Sequence, residues 1–152
     1  MKPIRATLLL LLAGLFPGGG LSAQSAAARM DVLLESQAVT WEDAAGFILD
    51  AAGVAYGALG AFEYCRTHKW LPQSVHYREP ITMQGFSLLA MSAFEMNGGL
   101  MYTLTHSSRY AYRELLYRNI LPPRSDPALY LSGETFLYVL ARILMEQGRY
   151  DA

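Results

Sequence analysis

Apolar and polar positions alternate along this chain in a pattern that recurs. Leu131 to Leu144 reads Leu-Ser-Gly-Glu-Thr-Phe-Leu-Tyr-Val-Leu-Ala-Arg-Ile-Leu, and Ile81 to Phe94, fifty residues earlier, falls into the same frame without a gap. Each segment opens on an apolar residue and a hydroxyl residue. Three variable positions follow, then Phe86 or Phe136 and an apolar run at helical spacing. Val39-Thr40-Trp41-Glu42 to Leu49, a further forty-two residues back, repeats the plan more weakly.

The pattern predicts helices throughout. Ala28, Val32 and Leu33/Leu34 recur at helical spacing between Ser25 and Ser36. Thr40 is a good N-cap for the next helix, with Glu42 and Asp43 in the first turn and Gly53 placed to end it. A helix from about Tyr56 to His68 is expected to bury Leu59, Phe62 and Cys65, and Trp70-Leu71-Pro72 stops it. Thr82 caps a helix that ends at Asn97-Gly98-Gly99. Leu100 to Leu104 is a short apolar turn. Ser107 or Ser108 opens Arg109 to Asn119, with Ala111, Leu115 and Leu116 inward and Arg113, Glu114 and Arg118 outward. Ser132 caps the last helix, and Gly148 closes it.

The fifty-residue frame extends beyond the caps, aligning Ala61/Ala111, Phe62/Tyr112, Leu71/Leu121 and Pro72/Pro122. One unit is a helix, a Leu-Pro stop, a loop of roughly eight residues and a capped helix. Three such units are expected, over about 25–53, 54–98 and 99–150, the first with almost no loop. No unit can bury its apolar face alone, so the copies must pack together as one all-α domain.

The N-terminus stands apart. Lys2 and Arg5 precede an apolar run from Leu8 to Phe16, broken by Pro17 and Gly18, and small residues follow at Ser22-Ala23. That is the order of a secretory signal peptide, expected over 1–23. The run is short of the roughly twenty residues that span a bilayer, so the mature form is not expected to span a membrane. Export to the periplasm or cell envelope follows.

Without Lys2 and Arg5 the chain has ten basic and thirteen acidic residues, a net charge of −3, and no basic run. A nucleic-acid partner is therefore not expected. Cys65 is the only cysteine, which excludes an intramolecular disulfide. His68, His76 and His106 lack close ligand spacing, so no metal is expected, and no cofactor either. Cys65 and His68 stand three apart on a helix, the spacing of a thiol–imidazole pair, but a buried cysteine beside a surface histidine is the simpler reading. Glu63 and Glu95 are single carboxylates without a partner in sequence, and no catalytic residue is assigned.

Ten tyrosines are more informative. Tyr110, Tyr112, Tyr117, Tyr130 and Tyr138 cannot all point inward on short helices. Aromatic residues with arginine make a common recognition surface. Arg109, Tyr110, Arg113, Tyr117 and Arg124, with Tyr77 and Arg78 in the preceding loop, are the candidate binding residues, lining grooves between units.

Tyr112-Arg113-Glu114-Leu115, Ile120-Leu121-Pro122, Asp126-Pro127 and Leu131-Ser132 to Leu144 together resemble one unit of the S-layer homology (SLH) domain family. The resemblance covers nearly all of the chain after residue 23. It implies a pseudo-threefold helical bundle that holds an exported protein to cell-wall polymer. The family's wall-binding signature is Thr-Arg-Ala-Glu at the cap of the second helix, its arginine contacting an anionic polymer. Here the equivalents are Thr40-Trp41-Glu42-Asp43, Thr82-Met83-Gln84-Gly85 and Ser132-Gly133-Glu134-Thr135, none with arginine. The fold carries over; the anionic-polymer site does not. The function expected is a non-catalytic binding or scaffolding module of the envelope, whose partner is cell-wall glycan or another envelope protein. The alternative is a small envelope enzyme acting on glycan or peptide through Cys65, His68 or Glu63.

Overall fold

The computed structural model of the protein describes residues 19–148, with side chains from Gln24. Most of the expected signal peptide therefore lies outside the described residues. The described chain is all-helical: α1 (Gly19–Glu35), α2 (Trp41–Ala52), α3 (Ala61–Thr67), α4 (Met83–Ala93), α5 (Leu100–Thr105), α6 (Ser108–Tyr117) and α7 (Gly133–Glu146). The chain divides into two bodies, Met1–Val32 and Leu33–Ala152. In the first, every residue from Gln24 to Val32 is exposed. No helix among the described residues is long and apolar enough to cross a membrane.

Three helices of the second body start in one way. Thr40, Thr82 and Ser132 hold extended backbone, and each side-chain oxygen accepts the N–H three residues on, from Asp43, Gly85 and Thr135. The residues just before these caps meet. Ile81 N–H donates to Val39 O at 2.8 Å, Val39 N–H to Leu131 O at 2.8 Å, and Leu131 N–H to Ile81 O at 3.2 Å. The three bonds close a cycle, and all three side chains are fully buried. Flanking bonds run from Trp41 N–H to Glu79 O, Met83 N–H to Leu129 O and Gly133 N–H to Ser36 O. Thr40 with Pro80 and Thr82 with Tyr130 form isolated bridges, and no sheet forms among the described residues.

Beneath the cycle lies the core. The rings of Phe86 and Phe136 meet edge-on at 5.3 Å, and Phe47 reaches Phe136 at 6.3 Å. Ala44 stands where the other two segments carry phenylalanine, so Phe47, one turn on, supplies the first segment's ring. Helix α4 packs on α2 and α6.

Four expectations need correction. The helix expected from Tyr56 is interrupted: Gly57 and Gly60 adopt left-handed φ of 58° and 83°, leaving a 3-10 turn over Gly57–Leu59 before α3. Leu59, placed in the buried stripe, is therefore 69% exposed. Helix α4 ends at Ala93, well before Asn97-Gly98-Gly99, because Glu95 takes the left-handed angle and Met96 N–H returns to Met91 O. The same C-terminal turn closes α3 at Lys69 and α6 at Asn119. Arg118, expected to point outward, is half-buried in ion pairs with Glu114 at 3.2 Å and Glu146 at 2.8 Å.

Candidate functional site

The capped helix starts build an open groove. It surrounds the start of α4 and has a volume of about 420 Å³. Trp41, Pro80, Pro127 and Tyr130 supply apolar surface. Trp41 is held against Gly85: a Cβ there would lie 2.6 Å from the indole, so only glycine leaves room for the ring beside the helix start. The polar side is the Thr82 cap and the Gln84 amide, which donates to Ser108 Oγ at 2.8 Å. Glu79 is the one charged residue of the lining.

The N1 position of each capped helix is occupied by Trp41, Met83 or Gly133, all buried. In the SLH-like signature that position is the arginine. Here each is packed inside the protein, Gly133 against the Leu33 backbone, and the groove lining has no cation to attract an anionic chain. A groove of rings, prolines and one amide instead suits an uncharged sugar face or an extended peptide.

A second and larger cavity, about 530 Å³, lies where the C-terminal ends of α3, α4 and α5 come together. His68, Lys69 and Trp70 line it from α3, Ser92 and Glu95 from α4, and Tyr102 and His106 from α5. The His68 ring stacks on Tyr64 at 4.1 Å and lies 5.3 Å from Trp70. Its Nδ1 is 2.8 Å from Tyr64 O, an obligate acceptor, so in the neutral ring Nδ1 carries the proton and Nε2 presents a lone pair. Tyr102 is buried, its hydroxyl pKa raised by desolvation and partly restored by a hydrogen bond with Ser92. Lys69, Glu95 and His106 all hold left-handed backbone, at φ 59°, 50° and 44°.

The residues singled out from sequence are dispersed. Arg109, Arg113 and Tyr117 follow one another at helical spacing along the exposed face of α6, with Tyr117 84% exposed. Tyr110 is half-buried against the core. Arg124 sits in the loop after α6 with φ 65°. Tyr77 packs edge-on to Phe62 at 6.3 Å, and Arg78 lies over the Tyr77 ring at 5.2 Å. Tyr77 also lines a smaller cleft with Glu42 and Phe62. Tyr112, by contrast, is buried and donates its hydroxyl to Ser125 O.

Cys65 is fully buried, and desolvation pushes its thiol up to about 12. His68, three residues on, binds a backbone carbonyl, and Glu63 pairs with Arg66. Among the described residues no group of three histidine, cysteine or acidic side chains is placed to hold a metal ion. Tyr130 of the groove is among the tyrosines that the sequence marks, whereas Gln84 and Ser108 of the groove and Trp70, Ser92 and Tyr102 of the cavity carry no such mark. One signal was present: Trp70 stands where the third unit has Ile120, which is buried. No family model, curated protein or solved structure matches this chain, so its residues and their geometry carry the functional reading.

Proposed function

We propose that the protein is an exported, non-catalytic binding or scaffolding module of the cell envelope, built from three SLH-like units related by a pseudo-threefold axis. Its partner is envelope glycan or another envelope protein. The observation that supports this reading is the groove at the start of α4. It joins Tyr130 and three prolines to the Gln84 amide, around a helix start held by the Thr82 cap and backed by the buried Trp41 indole. Such a surface offers stacking and hydrogen bonding without strong charge, as recognition of neutral sugar rings or extended peptide requires.

Co-sedimentation with isolated peptidoglycan tests the glycan branch, and proximity labelling in the native envelope tests the protein branch. Tyr130→Ala and Gln84→Ala are expected to reduce capture in the branch that operates while leaving the melting temperature within a few degrees. Capture by neither route, or capture indifferent to both substitutions, counts against the groove.

A further inference from the structure

The cavity at the ends of α3, α4 and α5 has a counterpart in the third unit, and there the protein fills it. In the fifty-residue frame His68, Lys69, Trp70 and Ser92 correspond to Arg118, Asn119, Ile120 and Arg142. Arg142 lays its guanidinium against the end of α6, donating to Asn119 O. The same group donates to Tyr138 Oη at 3.0 Å and lies 5.7 Å from the Tyr138 ring. Arg118 occupies the adjoining space, bonded to Glu114, Glu146 and Asn97 O.

In the second unit both arginines are replaced by shorter groups, Ser92 and His68. The space two guanidinium groups take up in one unit is open in the other, as a volume of about 530 Å³. Tyr138, Glu114 and Glu146, which hold the two arginines of the third unit, correspond to Leu88, Tyr64 and Met96, so the walls of this space offer a guanidinium other partners. Glu95 supplies a carboxylate, the neutral His68 ring an Nε2 lone pair, and Lys69 stands where the third unit has Asn119, whose carbonyl takes the Arg142 bond. Where the third unit has aliphatic Ile120, the second has Trp70, whose ring face attracts a planar cation. Lys69 and Glu95 are both exposed, so the ammonium reaches solvent on its long stem and leaves the carboxylate to the guanidinium.

We infer that this cavity receives a guanidinium group presented by an arginyl side chain of a partner polypeptide, seated where the third unit seats its own Arg142. This goes beyond the groove at α4, shares no residue with it and does not depend on it.

Trp70 is one of two tryptophans and lines the cavity, so a change in emission that is lost in Trp70→Ile reports on the cavity. Titration with N-acetyl-L-arginine amide is expected to change that emission saturably in the millimolar range. The matching lysine amide and sodium acetate are expected to need about tenfold more. Two variants copy the third unit. Ser92→Arg fills the space from within and is expected to abolish binding and raise Tm. Trp70→Ile, followed by calorimetry, is expected to weaken binding about tenfold, and it keeps the test open should Ser92→Arg not fold.

Saturable binding of acetate in preference to the arginine amide would overturn the inference. So would equal response to the lysine amide, or undiminished binding by a folded Ser92→Arg or Trp70→Ile. Free arginine binding more tightly than its blocked amide would overturn the polypeptide source and assign the site to a small solute.

Discussion

A Cβ added to Gly133 would lie 1.6 Å from the carbonyl oxygen of Leu33. The first turn of α7 thus rests directly on the backbone of the last turn of α1, with no room for a side chain, and Gly133 N–H donates to Ser36 O at 2.9 Å. Backbone cannot swing aside as a side-chain tip can. Gly133→Ala is expected to cost about 3 kcal/mol, among the larger effects for a single methyl group, read from the urea midpoint. A variant as stable as the parent would show that α7 does not seat there.

The helix caps give a graded series. Ser132→Ala removes the oxygen that accepts Thr135 N–H at 3.3 Å, and Thr82→Ala removes the one that accepts Gly85 N–H at 3.1 Å. Each is expected to cost about 1 kcal/mol, with the Asn or Asp replacement at the same position restoring most of it. Unchanged melting in both alanine variants would refute the cap assignment.

Cys65 gives the protein a defined alkaline weakness. Desolvation raises its folded pKa from 9.0 to about 12, so the folded state disfavours the thiolate. The contribution is intact below pH 9.0 and is lost as pH rises toward about 12, because the unfolded thiol ionises first. In that window stability is expected to fall by about 1.4 kcal/mol per pH unit on account of this group. Cys65→Ala is expected to start lower near neutrality and to show a flatter decline, measured by urea unfolding at stepped pH. The native thiol is expected to resist alkylation at neutral pH and to react once the chain is unfolded.

Amide exchange tests the central cycle. Val39, Ile81 and Leu131 each donate to the next member, so none of the three N–H groups opens without disturbing the other two. Their exchange is expected to be the slowest in the chain and to share one opening free energy, equal to that of global unfolding. Three well-separated values would mean that the segments open independently.

Much of this architecture is legible in the sequence, because capping is a local event. A hydroxyl before an apolar run marks Thr40, Thr82 and Ser132 whatever the rest of the chain does. The break at Gly57 and Gly60 was less legible, since glycine inside an apolar helical pattern is tolerated unless tertiary packing asks for a left-handed angle there. Glu95 is harder still: a charged residue at positive φ leaves no signature, and Asn97-Gly98-Gly99 nearby offers a stronger false one. The cycle through Val39, Ile81 and Leu131 is invisible because its members read only as three apolar residues. The cavity was the least legible feature. It arises from side chains that are shorter than their counterparts, and that matters only once Arg118 and Arg142 are seen to occupy the equivalent space.

Because each member of the cycle gives one bond and takes one, the arrangement has no free end. An open solenoid lengthens by adding a copy to its last turn, whereas here removing any one of the three segments would strand an amide in the protein's interior. The segments that lead into α2, α4 and α7 are tied to one another by main-chain bonds alone, so side-chain substitution leaves that tie in place.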